Sequence, residues 1–264
     1  MKPLAAFPAA VRNAIRGVFC DIDDTLTTDG RLTAAAYAAL ERLQAAGLLI
    51  VPITGRPAGW CDLIARQWPV DAVVGENGAF WFRYDHGARR MRRSFVDDDA
   101  TRAAHRQRLK TIGDAILNAV PGAALSADQH YRETDLAIDF REDVPSLPAA
   151  AVARIVALME QQGLTAKVSS IHVNGWFGAY DKLGMTRRLM REAFGVDLDA
   201  ERARYVFVGD SPNDAPMFGF FPQAVGVANV QAFADRLETM PAYVTQADAG
   251  AGFCELADFL FSGR

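Results

Sequence analysis

Short apolar runs broken by polar turns alternate with Ala- and Leu-rich stretches of helical period along the first third of the chain. Gly17-Val18-Phe19-Cys20 reads as a short buried strand. Residues 33–46 place apolar side chains at helical spacing, and Gly47 follows as a C-cap. Leu48 to Ile53 is apolar throughout, as a parallel strand buried on both faces would be. A helix then opens at Pro57, a residue suited to the first helical position, and runs to Gln67. Ala72-Val73-Val74 is a third strand. Strands and helices alternating across short connections predict a parallel sheet covered on both faces. The turn Gly75-Glu76-Asn77-Gly78-Ala79 leads into an aromatic strand, Phe80-Trp81-Phe82.

The rhythm lapses at Arg83. Arg83, Arg89, Arg90, Arg92 and Arg93 stand among polar neighbours, a pattern whose ordinary meaning is a solvated hairpin. A polar helix from Asp99 to Val120 is stopped by Pro121-Gly122. Strands are expected at Leu136–Phe140, Ala166–Ser169 and Ile171–Val173, with a helix from Leu147-Pro148 to Gln162 between the first two. The alternation returns with a helix at Lys182, a strand at Tyr205–Val208, and short strands at Ala224–Val227 and Ala242–Val244, each followed by a helix. The expected fold is α/β: a Rossmann-like doubly wound parallel-sheet core from residues 1–82 and 177–264, interrupted by an α+β insertion over 83–176.

Composition narrows the function classes. With 264 residues and 23% charged, the chain can build a sizeable core as one large domain or two modest ones. A net charge of −4 argues against nucleic-acid binding, which needs a basic surface. Cys20, Cys61 and Cys254 form no C-x-x-C pair, which suits a reducing cytoplasm and neither a disulfide framework nor a zinc site. No apolar run reaches the roughly 18 residues of a membrane span. Pro8 interrupts the faintly apolar Leu4 to Val11, so no secretory leader is expected.

The candidate chemistry lies where strands end. Asp21 and Asp23, two apart after Gly17–Cys20, would share a face if the strand continued. Two carboxylates on one face need a partner, and a hard cation such as Mg²⁺ takes oxygen ligands. Thr54 and Asp210 also follow apolar strand-like runs directly, so a parallel sheet would bring all of these to its carboxyl edge, the ligand crevice of open α/β folds. Lys182 opens a helix just after the insertion and can point at that crevice. Acids, a threonine, a lysine and the Gly209-Asp210-Ser211-Pro212-Asn213-Asp214 turn suit a phosphate with a bound metal. A solvated turn of Asp and Thr capping the next helix is the ordinary alternative for Asp21–Thr25 on its own.

Together these residues resemble the haloacid dehalogenase superfamily. Asp21-Ile22-Asp23-Asp24-Thr25 is similar to its first motif, Thr54 to the second, Lys182 to the third and Gly209–Asp214 to the fourth, in family order. The insertion between the second and third motifs, and the tract Ile171-His172-Val173-Asn174-Gly175, resemble the α+β cap of subclass IIB (type C2B), as in Cof-like, sucrose-phosphate phosphatase and mannosyl-3-phosphoglycerate phosphatase proteins. The resemblance implies Asp21 as nucleophile, Asp23 as acid and base, and Thr54 and Lys182 on the phosphoryl oxygens. Mg²⁺ would be held by Asp21, the Asp23 backbone carbonyl and Asp210, with Asp214 in support. Gly55, Arg56, Asn77, His172 and Asn174 are further candidates for substrate contact. Asp24 stands where the family often has glycine, either tuning the site or capping the turn, and Leu183 precedes Gly184 where the family has glycine after the lysine.

The implied activity is hydrolysis of a small phosphorylated metabolite, a sugar phosphate foremost, by a cytoplasmic monomer or homodimer without nucleic-acid or membrane partners. A phosphomutase of the phosphomannomutase type and a noncatalytic phosphometabolite-binding protein are the alternatives. Retention of both Asp21 and Asp23 weighs against the latter.

Overall fold

A computed structural model describes residues 1–262. Its central sheet has six parallel strands in the order Lys2–Pro3, Tyr243–Val244, Val225–Gly226, Tyr205–Gly209, Gly17–Cys20, Leu49–Pro52. Alternation along Gly17–Cys20 sends Val18 and Cys20 to one face and Phe19 to the other. The first face packs against helices Ala34–Ala45 and Ala249–Phe261 through Leu40, Leu43, Phe253 and Leu256. The second packs against Lys182–Phe194 and Ala215–Phe220 through Met185, Leu189, Met217 and Phe218. Helices on both faces of a parallel sheet make the fold doubly wound, as expected.

The cap is a four-stranded antiparallel sheet in the order Thr165–Val168, His172–Trp176, Asp135–Asp139, Ala124–Leu125. Leu136, Ile138 and Val173 close a separate core with helices Asp99–Ala119 and Ala149–Gln161, through Leu109, Ile116, Ile155 and Met159. The period of two therefore turns Asp135, Asp139, His172 and Asn174 to the opposite face, where all four are buried. Four polar side chains buried on one sheet face need partners, and that requirement shapes the site.

Three details differ from the sequence expectations. Residue 83 falls inside the strand Phe80–Asp85, which pairs with Arg90–Phe95 and with Val73–Gly75. An Ile53–Val74 bridge ties this three-stranded sheet to the central one, so the arginine-rich hairpin belongs with the core strands. The stretch after Val225–Gly226 is 3₁₀ helix, Ala228–Arg236, where an ordinary helix was expected. The N-terminal residues, unassigned from sequence, add the edge strand Lys2–Pro3 and a helix, Ala9–Ala14. Among the described residues no helix is long and apolar enough to cross a membrane.

Candidate active site

Register brings the strand ends together. Cys20 pairs with Val208 on one side and Pro52 on the other, so Asp21, Asp210 and Thr54 leave the same edge of the sheet. The strand itself stops at Cys20. Alternation therefore does not place Asp21 and Asp23 on one face, and their side chains go to different partners, Lys182 and Arg56.

The first centre is acidic and buried. Asp21, Asp210 and Asp214 each offer a carboxylate oxygen, all within 4.8 Å of one another. Lys182 Nζ donates to Asp21 at 3.0 Å and to Asp214 at 2.7 Å. The other Asp214 oxygen accepts the backbone N–H groups of Asp210 and Ser211. Thr25 Oγ1 donates to Asp210 at 3.1 Å, and Asn229 Nδ2 reaches both Asp210 and the Asp24 carbonyl. Asp24 has φ +56°, a left-handed conformation natural to glycine and tolerated by Asp, which accounts for the exchange there.

Lys182 is fixed by the turn before it. Asp181 caps the helix by accepting the Gly184 N–H at 2.6 Å. Gly78, at φ +106°, presses on that cap so closely that any Cβ would run into the Asp181 carbonyl. The displaced glycine at 184 thus leaves the lysine in place.

Three carboxylates face one ammonium. Burial pushes the Asp21 carboxyl up to about 7 against the pull of Lys182, with Asp214 and Asp23 adding to the rise. Burial, Asp21 and Asp214 also raise Asp210 well above the usual carboxylate range. The Lys182 ammonium is favoured by Asp21 and Asp214 although burial opposes it. An all-oxygen donor set with excess negative charge fits a hard divalent cation.

The second centre is an ionic seam between core and cap. Arg56 donates through Nε and Nη2 to Asp23 at 2.7–3.0 Å, and through Nη2 to Glu142 of the cap at 2.7 Å. Its Nη1 lies 3.4 Å from Asp128. His172 Nε2 is 2.8 Å from Glu142, within ion-pair reach but not aligned for a hydrogen bond. Burial would raise the Glu142 carboxyl, yet His172 and Arg56 hold it at about 2. Arg132, buried, pairs with Asp128 and Asp135 and donates to the Gly55 carbonyl at 2.9 Å. Glu76, fully buried at φ +42°, accepts from the N–H groups of Ala58, Glu133 and Thr134 and from the Thr134 hydroxyl.

Of the sequence candidates, Asp21, Asp23, Gly55, Arg56, His172 and Asn174 line one cavity of about 20 Å³, room for about one water. Asn77 and Lys182 line a neighbouring cleft of about 270 Å³, and Asn213 borders both. Thr54 borders neither; its hydroxyl accepts the Arg56 N–H at 3.0 Å. Asn174 is held by Asp135 at 2.9 Å. Sequence reasoning missed Thr25, Glu76, Asp128, Arg132, Glu142 and Asn229. Glu76, a lone acid between Val73-Val74 and Phe80, was the one with a visible signal.

A family model of haloacid dehalogenase-like hydrolases matches residues 18–117, which hold the first two motifs. Over that stretch the chain resembles the haloacid dehalogenase-like hydrolases. A phosphoglycolate phosphatase of Haloarcula marismortui is 27% identical over 240 residues, covering 89% of this chain and 92% of the relative. Among solved structures, a Thermoplasma acidophilum protein superposes with a TM-score of 0.69 at 17% identity, over 93% of this chain and 98% of that one. A subclass IIB sugar phosphatase does so with a TM-score of 0.62 at 16% identity, over 94% and 100%. These two share the fold of this chain, cap included.

Proposed function

We propose that this phosphatase is Mg²⁺-dependent and hydrolyses a small phosphomonoester through an aspartyl-phosphate on Asp21. The observation that carries the reading is Lys182 bridging Asp21 and Asp214 beside Asp210, with Asp23 lining the same cavity as Asp21. Asp21 attacks phosphorus in line; its O–P bond forms as the ester P–O bond breaks, and Asp23 gives its proton to the leaving alkoxide. Asp23 then takes a proton from water, which attacks the aspartyl-phosphate and releases inorganic phosphate. Lys182 orients Asp21 and stabilises the phosphoryl oxygens, and Thr54 shapes the turn presenting Arg56 and supports those oxygens. Arg56 positions Asp23. Asp21, Asp210 and the Asp23 carbonyl would hold Mg²⁺, with Asp214 in support, and the ion would neutralise phosphoryl charge.

The cavity over Asp21 is too small for a phosphoester while the cap is closed, so substrate entry requires the cap to open. We place the cap at 96–176, leaving the arginine-rich hairpin with the core. The sugar-phosphatase neighbour favours sugar phosphates, and the curated relative favours phosphoglycolate. Free Cys20, Cys61 and Cys254 are consistent with a cytoplasmic enzyme.

The test is phosphate release from sugar phosphates, 2-phosphoglycolate and p-nitrophenyl phosphate, with and without Mg²⁺. Metal-dependent release that disappears in Asp21→Asn is expected. Folded wild-type protein that releases none with Mg²⁺ overturns the reading, and turnover only with a bisphosphate activator would make it a mutase.

A further inference from the structure

Arg56 holds three carboxylates, and they are not equivalent. Asp23 is the acid and base of the reading above. Asp128 is locked from behind by Arg132 and by the Ser126 hydroxyl at 2.6 Å. Glu142 sits on the loop between Asp135–Asp139 and Ala149–Gln161, its side chain 27% exposed. Among the described residues its carboxylate meets only Arg56 and His172. Those two partners line the cavity over Asp21, whereas Glu142 does not. Asp23 and Glu142 also share one nitrogen of Arg56, Nη2. Arg56 and His172, beside Asp23 and covered by one loop-borne carboxylate, have the chemistry to receive an anion.

We propose that Glu142 is a specificity gate: its carboxylate occupies the Arg56–His172 pair that receives a carboxylate of the substrate, so the preferred substrates are small phosphorylated carboxylic acids. The proposal rests on the phosphatase reading and adds to it the chemistry of the leaving group. A carboxylated substrate displaces Glu142 and keeps Arg56 neutralised. A neutral alcohol must either leave Glu142 in place and compete for space, or leave Arg56 with one anion fewer.

The test compares 2-phosphoglycolate with 2-hydroxyethyl phosphate, nearly the same size without the carboxylate, for wild type, Glu142→Gln and His172→Gln. Wild type is expected to prefer 2-phosphoglycolate. Glu142→Gln should raise the ratio of kcat/KM values (phosphoglycolate over hydroxyethyl phosphate) by about tenfold, through a lower KM for phosphoglycolate, and His172→Gln should lower the ratio by a similar factor. A ratio moved less than about twofold by both variants, or a higher phosphoglycolate KM in Glu142→Gln, overturns the gate. No release from 2-phosphoglycolate, or an unmoved ratio, by a wild type that hydrolyses sugar phosphates or p-nitrophenyl phosphate defeats the gate alone, whereas no release from any of these esters defeats the phosphatase reading itself.

Discussion

The acidic centre and the ionic seam are built from the same residue types and behave oppositely. At the centre, three buried carboxylates outnumber one lysine, so the protein alone leaves negative charge uncompensated. At the seam, Asp23, Asp128, Asp135 and Glu142 each pair with Arg56 or Arg132, and Glu76 is held by a set of backbone N–H groups. Carboxylates crowded on one lysine are a place for a cation, and carboxylates each paired with an arginine or N–H donors across two domains are a joint. The proposed phosphoryl chemistry sits at the edge of the core sheet, and the cap is held over it by the arginine–carboxylate pairs of the seam.

Removing charge at each place sharpens the contrast. Asp21→Asn should lower phosphate release by about a thousandfold or more. Without metal its melting temperature should be no lower than that of wild type, because a repelling buried charge has gone. Lost activity accompanied by a large fall in stability would mean that Asp21 is structural. Glu76→Gln should do the reverse, destabilising by roughly 3 kcal/mol because one acceptor oxygen becomes an NH₂ turned toward buried donors. Denaturant unfolding measures it, and an unchanged midpoint would contradict the seam as a joint.

How much of this could be read in the sequence follows the same division. Asp21, Thr54 and Asp210 were legible because a parallel sheet converts the end of an apolar run into a position in space. The partnership of Glu76 with Thr134, or of Arg56 with Glu142, was not. It joins loops 58 and 86 residues apart, and no periodicity encodes which loop meets which. Residues 83–95, the rest of the Phe80–Phe95 hairpin, were set with the cap because their arginines hid the alternation. Arg83 lies over the Phe194 ring and Arg92 over Trp81, so their stems cover apolar surface that a count of charges treats as exposed.

Mg²⁺ should stabilise the wild type, by about 2.7 kcal/mol at a hundredfold excess over its Kd, and should do so far less in Asp210→Asn. Equal shifts in the two proteins would place the ion elsewhere. The smallest effects are in pH. Burial raises Glu76 to about 7 from an ordinary value of 4.5, so its contribution is full below about 4.5 and lost as pH rises through 7. Glu142, lowered to about 2, contributes above about 4.5 and loses that contribution as pH falls through 2, a term under about 1 kcal/mol at so exposed a position. Stability-versus-pH differences between wild type and Glu76→Gln or Glu142→Gln should therefore slope in opposite windows, and a shared window would erase the distinction between them.

The central sheet also governs when the enzyme can exist during synthesis. Gly17–Cys20 lies between Leu49–Pro52 and Tyr205–Gly209, so one neighbour is made early and the other only after the whole cap has been translated. Thr25 must wait for Asp210, 185 residues on, and the edge strand Lys2–Pro3 for Tyr243–Val244. Until then one side of the first strand is unpaired, a slow, high-contact-order step during which the nascent chain depends on not meeting another copy.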